Sequence, residues 1–332
     1  MSYDEIALQP LEDIQGQVKT KGQMQAALLM GRNVIIVGPP GVGKTTLAKN
    51  VARLLPSTTV NECEYHCDPS NPLCPACKKT KAKTKKITGE ERFIRIQGSP
   101  DLTVEDLLGD IDPIKALKFG PLSVEAFTPG KIFRANNGVL FFDEVNRCPE
   151  KLQNALLQVL QERTATIGSY MIDLPANFIF IGTMNPEDSS TERLSDVFID
   201  RFDVIEMSYP DTHEIEYTIM KEKGKKLDVK FPEGLQNLAV SFVRLLRDHK
   251  DVEKKPSVRA TIGLYERAQA HAFLGKRGEV QVEDLQDAML SVLSHRISLK
   301  PSVKYAQTNE EFLETLLRSF LASYEPEKGG GR

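Results

Sequence analysis

The stretch Gly38 to Thr46, "GPPGVGKTT", constrains this chain more than any other. It follows a continuous apolar run, 33–38 "NVIIVG", and precedes 44–55, "KTTLAKNVARLL", in which Leu47, Val51, Leu54 and Leu55 share a helical face. Strand, glycine-rich turn and helix are the context in which G-x-x-x-x-G-K-[ST] forms a phosphate loop. Glycines let backbone N–H groups turn inward on phosphate oxygens, and the helix N-terminus adds its positive end. Gly38, Pro39, Pro40, Gly41, Val42, Gly43, Lys44, Thr45 and Thr46 are therefore the expected nucleotide-binding residues. Lys44 is expected on the β- and γ-phosphates of ATP, and the Thr45 hydroxyl on Mg2+.

Four further runs, 93–98 "FIRIQG", 138–144 "GVLFFDE", 178–184 "FIFIGTM" and 202–207 "FDVIEM", are rich in β-branched and aromatic residues and are read as continuously apolar rather than alternating. Such runs belong to strands buried on both faces. Helical patterns lie between several of them, as in 149–162 with Leu152, Leu156, Val159 and Leu160 on one face. The expected fold is α/β, a five-stranded parallel sheet covered on both sides. "VLFFDE" delivers Asp143 and Glu144 to a strand's C-terminal end, where open α/β sheets bind ligands. Asp143 is expected to hold Mg2+, directly or through water. Glu144 is expected to polarise the attacking water, which makes the reaction a hydrolysis. A solvated acidic edge is the plain alternative for such a pair, and the upstream loop favours chemistry.

After Met207 the strands are expected to stop, giving way to helices near 211–223, 233–248, 257–274, 282–296 and 308–323. Thr308 and Glu311 form a capping-box pattern for the last. This divides the chain into a nucleotide-binding domain, 1–208, a helical lid, 209–325, and a disordered tail, 326–332. Two stretches interrupt the α/β pattern: 57–92, rich in Cys and Lys, and 100–132, read as a helix and hairpin.

On these motifs the chain resembles the AAA+ ATPases, and more narrowly the clade of magnesium-chelatase I subunits and MoxR proteins. The resemblance runs from 13–17, "DIQGQ", to about residue 296. It implies an ATP hydrolase whose Gln15, Gly16 and Gln17 lie against the adenine. "GTMNPED" (182–188) resembles a sensor-1 segment, implying that Asn185 aligns water and γ-phosphate. "FIDRFD" (198–203) resembles an arginine-finger segment, with Arg201 against a neighbouring subunit's nucleotide; an ion pair with Asp200 or Asp203 is the structural alternative, and Arg193 a second candidate. "KPSVRA" (255–260) resembles a sensor-2 segment, with Arg259 reaching the phosphates. The 100–132 stretch resembles the chelatase insertions, and 163–177 the hairpin before sensor 1, with Gly168 and Ser169 in its turn. The length of 186–202 is closer to MoxR. The resemblance further implies a homo-oligomer, a hexameric ring, acting on a protein with a von Willebrand factor A domain in metal-cofactor insertion or enzyme maturation. The competing class is a nucleic-acid motor or helicase-like translocase, although the hairpin tip "IGSY" carries no Lys or Arg to grip phosphates.

"CEYHCDPSNPLCPAC" (63–77) holds four of the chain's five cysteines, Cys63, Cys67, Cys74 and Cys77. Clustered thiolates in the pattern C-x3-C-x6-C-x2-C suit a structural S4 site for zinc or an iron–sulfur cluster. Four unligated cysteines and a redox switch are the alternatives, and a metal- or redox-sensing ATPase follows from the latter. His66 can stand in for a thiolate; Cys148 reads as a helix-start residue. A metal would order a loop with few large apolar groups. Beside it, 78–86 "KKTKAKTKK" places six lysines in nine residues, a solvated loop or an anionic-partner patch. Net charge is −3, so the molecule as a whole has no bias towards nucleic acid or membrane. "MSYDEIALQP" has no apolar signal region, the apolar runs are strand-sized, and an odd, clustered cysteine count does not suit a disulfide framework. A cytoplasmic, reduced protein is expected.

Overall fold

The apolar runs become the central layer of the N-terminal unit. The computed structural model describes residues 4–80, 82–121, 123–166, 173–186 and 194–323. In it β1 (Val34–Val37), β4 (Phe93–Gln97), β7 (Val139–Asp143), β10 (Ile179–Met184) and β11 (Asp203–Glu206) form one sheet in the order β11-β1-β10-β7-β4. Every pairing in it is parallel. Val139, Leu140, Phe141 and Phe142 of β7 are wholly buried, as are Ile36 and Phe180. Burying each such side chain contributes about 1.5–3 kcal/mol, which explains the apolar runs of β1, β7 and β10. The edge strands β4 and β11 instead expose Arg95, Gln97, Asp203 and Glu206, so the expectation of burial on both faces fails there. The helices Lys44–Leu54 and Glu150–Glu162 follow the expected faces, burying Leu47 and Val51 in one and Leu152, Leu156, Val159 and Leu160 in the other.

The insertion 57–92 is more ordered than a loop. β2 (Thr58–Asn61) and β3 (Thr84–Ile87) pair antiparallel, Thr58 opposite Ile87, and a short helix spans Pro75–Lys79. In the second insertion, β5 (Gly109–Ile111) and β6 (Phe127–Pro129) form a hairpin that carries the helix Pro113–Phe119 between its strands. β8 (Thr164–Thr166) and β9 (Asp173–Pro175) pair ahead of β10, while Gly168 and Ser169 lie outside the described residues.

The chain divides into two compact units after Met207, with Pro40–Val42 grouped with the second. In that second unit the helices His213–Lys223, Glu233–Asp248, Val258–Leu274, Val282–Leu293 and Asn309–Ser323 bury Phe242, Leu246, Leu264, Ala268 and Met289. The capping box is present: the Thr308 N–H donates to Glu311 at 2.8 Å and the Glu311 N–H to the Thr308 hydroxyl at 3.2 Å. Strands do not stop at Met207, however. β12 (Val252–Lys254) pairs antiparallel with β13 (Ser298–Leu299), and the expected helix 282–296 ends at Leu293 so that the chain can enter β13. A pair with one buried residue per strand, Val252 and Leu299, leaves too short a pattern to read in sequence. Glu216 is fully buried against Arg247, whose Nη2 donates to it at 2.7 Å. Arg247 also donates to the Pro256 carbonyl at 2.7 Å and stacks on Tyr209.

Candidate functional site

The candidate site forms at the C-terminal edge of the sheet. The Gly38 N–H donates to the Met184 carbonyl at 3.3 Å, and the Met207 N–H to Val37 at 2.8 Å, which ties the start of the phosphate loop to both neighbouring strands. Gly43, at φ 105, ends the loop and starts the helix Lys44–Leu54. The Lys44 ammonium donates to the carbonyls of Gly38 at 2.6 Å and Pro39 at 2.9 Å. It is thereby held over the loop, where a phosphate would compete for the same donors. Thr45 and Thr46 sit partly buried in the helix's first turn. Ile14 packs 3.5 Å from where a side chain on Gly43 would begin. The next residues are Gln15, Gly16 at φ 65 and Gln17 at φ 53, the last leading into the helix Val18–Leu29. The sequence thus brings the expected adenine segment beside the loop.

One strand separates the loop from the acidic pair. β10 lies between β1 and β7, with Val37 beside Met184 and Gly182 beside Phe142. Asn185 follows Met184 directly, at the end of this intervening strand. Thr183, fully buried, donates its hydroxyl to Asp143 Oδ1 at 2.6 Å and accepts the Glu144 N–H at 2.9 Å. Asp143 Oδ2 faces Arg95 Nη2 at 2.5 Å. Glu144, at φ 56, accepts from Gln97 Nε2 at 3.0 Å and lies 3.3 Å from Arg147 Nε. That left-handed backbone is costly for a side chain other than glycine. It is held in part by Gly98, whose N–H donates to the Asp143 carbonyl at 2.7 Å. A Cβ on Gly98 would fall 2.0 Å from the Glu144 carbonyl oxygen, so only glycine permits this approach. Arg95 and Gln97 belong to no motif that sequence reasoning singles out, and Thr183 lies in the sensor-1-like segment 182–188 with no role assigned to it. Their signal is a polar residue at or near the end of an otherwise apolar run, and only the register, Gln97 beside Asp143, gives it meaning.

One of the expected residues stands apart from this edge, and another belongs to the second unit. Arg201 precedes β11, whose Asp203 pairs with Val34 and whose Glu206 pairs with Val37. It therefore stands at the opposite, N-terminal edge of the sheet, a strand of roughly 13 Å away from the phosphate-loop end at about 3.3 Å per residue. Its side chain is exposed and donates to the Val197 carbonyl. Among the described residues it makes no ion pair with Asp200 or Asp203. Arg259 is the second residue of the helix Val258–Leu274 in the second unit. Within that unit its Cγ is 3.3 Å, and Ser257 Oγ 2.8 Å, from where a side chain on Gly41 would begin. Arg193 lies outside the described residues.

The four clustered cysteines converge: the Sγ atoms of Cys63, Cys67, Cys74 and Cys77 lie within 4.8 Å of one another. His66 is not part of that group, and none of the five cysteines is in a disulfide. Cys148 is separate and buried, and burial pushes its thiol up to about 11.

Three family models match the chain. The ATPase family associated with various cellular activities (AAA) covers residues 73–204, the AAA lid domain 245–316, and magnesium chelatase subunit ChlI 10–82. The chain is similar to the magnesium-chelatase subunit ChlI homolog of Methanocaldococcus jannaschii, 29% identical over 94% of this chain and 91% of that protein. It is also similar to the magnesium-chelatase 38 kDa subunit of Acidiphilium rubrum, 33% identical over 59% of this chain and 57% of that one. Among solved structures it is similar to a mutant form of Thermotoga maritima RuvB, with a TM-score of 0.51 and 18% identity over 85% of this chain and 73% of that chain. At that identity the likeness is one of fold. Among the described residues no helix is long and apolar enough to cross a membrane.

Proposed function

We propose, from the premise that this chain belongs to the AAA+ ATPases of magnesium-chelatase ChlI type and is an ATP hydrolase, that it is the motor of a ring that remodels a protein client. One observation carries this reading: the phosphate loop, Asn185 and the Asp143–Glu144 pair meet at one edge of a parallel sheet. In this reading the Lys44 ammonium exchanges the Gly38 and Pro39 carbonyls for phosphate oxygens. Gln15, Gly16 and Gln17 line the adenine. Asp143 suits a hard divalent ion: one oxygen is fixed by a hydroxyl, and the other faces a half-exposed guanidinium that can swing away. Thr45 and Asp143 would hold Mg2+, which when bound neutralises charge on the β- and γ-phosphates. Glu144 takes the proton of the attacking water, and Asn185 orients that water.

Arg259 reaches the phosphates from the lid. Arg201 is useful only to a neighbouring copy, since it stands at the wrong edge for its own loop. An arginine supplied in trans contributes about 10³–10⁵ in rate, which makes assembly a condition of activity and supports a ring, hexameric in this reading. Similarity to a chelatase-subunit homolog along nearly its whole length supports a role in metal-cofactor insertion. A client with a von Willebrand factor A domain, MoxR-like enzyme maturation as the alternative role, and a cytoplasmic setting complete this reading. The test is Glu144→Gln, which should bind ATP normally yet turn it over at least about 10²-fold more slowly; turnover near that of the parent protein would sink the assignment.

A second reading has one specific observation behind it. Lys83, Lys85 and Lys86 on and beside β3 are exposed, a local positive strip on a chain of net charge −3. Turnover with and without DNA, at low and moderate salt, separates the two. Stimulation that fades with salt carries the nucleic-acid motor. Its absence over a measurable basal rate leaves the protein remodeller.

A further inference from the structure

We infer that Cys63, Cys67, Cys74 and Cys77 bind one tetrahedral zinc-class divalent ion, rather than an iron–sulfur cluster, and that this ion welds the two insertions of the first unit together. The separation of the sulfurs decides the nuclearity. All four lie within 4.8 Å of one another. A single ion with metal–sulfur bonds of about 2.3 Å sets its ligands roughly 3.8 Å apart, so closing the site takes shifts of no more than about an ångström. An iron–sulfur cluster spreads its cysteines over separate iron atoms and needs a wider frame.

The backbone around the sulfurs is arranged for thiolates. The N–H of Cys67 points to Cys63 Sγ at 3.3 Å. Those of Leu73 and Cys74 point to Cys67 Sγ at 3.2 and 3.3 Å, and that of Cys77 to Cys74 Sγ at 3.4 Å. Four thiols binding a divalent ion release four protons and leave a centre of net charge −2. Three of these cysteines are buried, and backbone donors are what such a buried negative centre requires.

The position of the cluster assigns its role. It sits between β2 and β3, and the first insertion meets Glu125 within the second insertion and the helix Lys131–Arg134 that closes it. Tyr65 packs on Phe133, with ring centroids 5.8 Å apart, and Lys79 pairs with Glu125 at 2.5 Å. The exposed ion pair is worth little on its own, so the seam depends on the 63–77 segment holding its shape. Four side chains fixed to one ion give it that shape.

The full-length protein, purified without chelator, should contain one zinc or other single divalent ion per chain and no acid-labile sulfide. Several irons with labile sulfide, or no metal uptake after reduction and exposure to zinc, overturns the proposal. Cobalt(II) added to stripped protein should give the intense visible bands of a tetrahedral tetrathiolate; the weak bands of an octahedral site overturn it. Cys67→Ser should lose that spectrum, and if this variant fails to fold the parent's metal content and cobalt spectrum still decide. Stripping the ion should speed tryptic cleavage within 78–86 by at least about tenfold, the signature of local opening; an unchanged rate rules out the structural role.

Discussion

Arg95 and Asp143 face each other across β4 and β7, guanidinium to carboxylate at 2.5 Å, at the point where a nucleotide-bound ion would have to sit. The arginine side chain is 52% exposed, so the pair is a weak latch rather than a structural clamp. Arg95→Ala should therefore lower the Mg2+ concentration that half-saturates ATP turnover, by no more than about fivefold for a latch worth up to about 1 kcal/mol. A magnesium titration of turnover measures it. A requirement that rises instead would give Arg95 a part in binding.

Gly98 and Glu144 make a second such relationship, backbone on backbone. Gly98→Ala drives a methyl into the Glu144 carbonyl, which in the proposed mechanism would turn the carboxylate away from the attacking water. Turnover should fall by about 10²-fold, the cost of misplacing a catalytic group by about an ångström, while ATP still binds. Paired measurements of nucleotide affinity and single-turnover rate check both halves.

In the second unit Glu216 is fully buried, and Arg247 ties it to Tyr209 and to the Pro256 carbonyl just ahead of Arg259. Glu216→Ala strands buried guanidinium charge and should cost about 3–5 kcal/mol. The exposed pair Lys230–Glu279, at 3.0 Å, serves as the contrast: Lys230→Ala should cost under about 1 kcal/mol. Urea midpoints of the two variants test the difference.

Cys148 should resist alkylation in the folded protein. Its thiol is pushed from 9.0 up to about 11 by burial, which lowers the reactive thiolate about 100-fold near neutral pH, before access is considered. Burial disfavours the charged form, so labelling should climb with pH only towards that raised value. Mass spectrometry after brief iodoacetamide treatment, native and unfolded, reads it directly.

Much of this was legible because the two strongest signals are local. The phosphate loop needs only nine adjacent residues, and the three inner strands of the sheet, β1, β10 and β7, are continuous apolar runs. What stayed hidden depends on contacts between distant segments. Gln97 and Thr183 matter because the register sets them beside Asp143 and Glu144, and no spacing along the chain encodes that. β2 and β3 are rich in Thr and Lys and bury few residues, so their pairing leaves no hydrophobic pattern, and the same holds for β12 and β13. The spacing of the cysteines suggests a metal site, and the structure brings their sulfurs together. Whether one ion or several fit had to wait for the distances between sulfurs.

In the proposed ring, Arg201 at one edge of the sheet and Lys44 at the other would make each copy a donor on one side and an acceptor on the opposite side. With Arg201 serving a neighbour, contacts between copies join unlike surfaces and run head to tail. Damage then does not stay where it is introduced. A copy lacking Arg201 silences the next pocket while its own, served by an intact neighbour, keeps working. A copy lacking Lys44 loses its own pocket but still serves the one beside it. Two inactive variants, Lys44→Ala and Arg201→Ala, should recover activity when mixed, because some junctions then bring together the intact half of each.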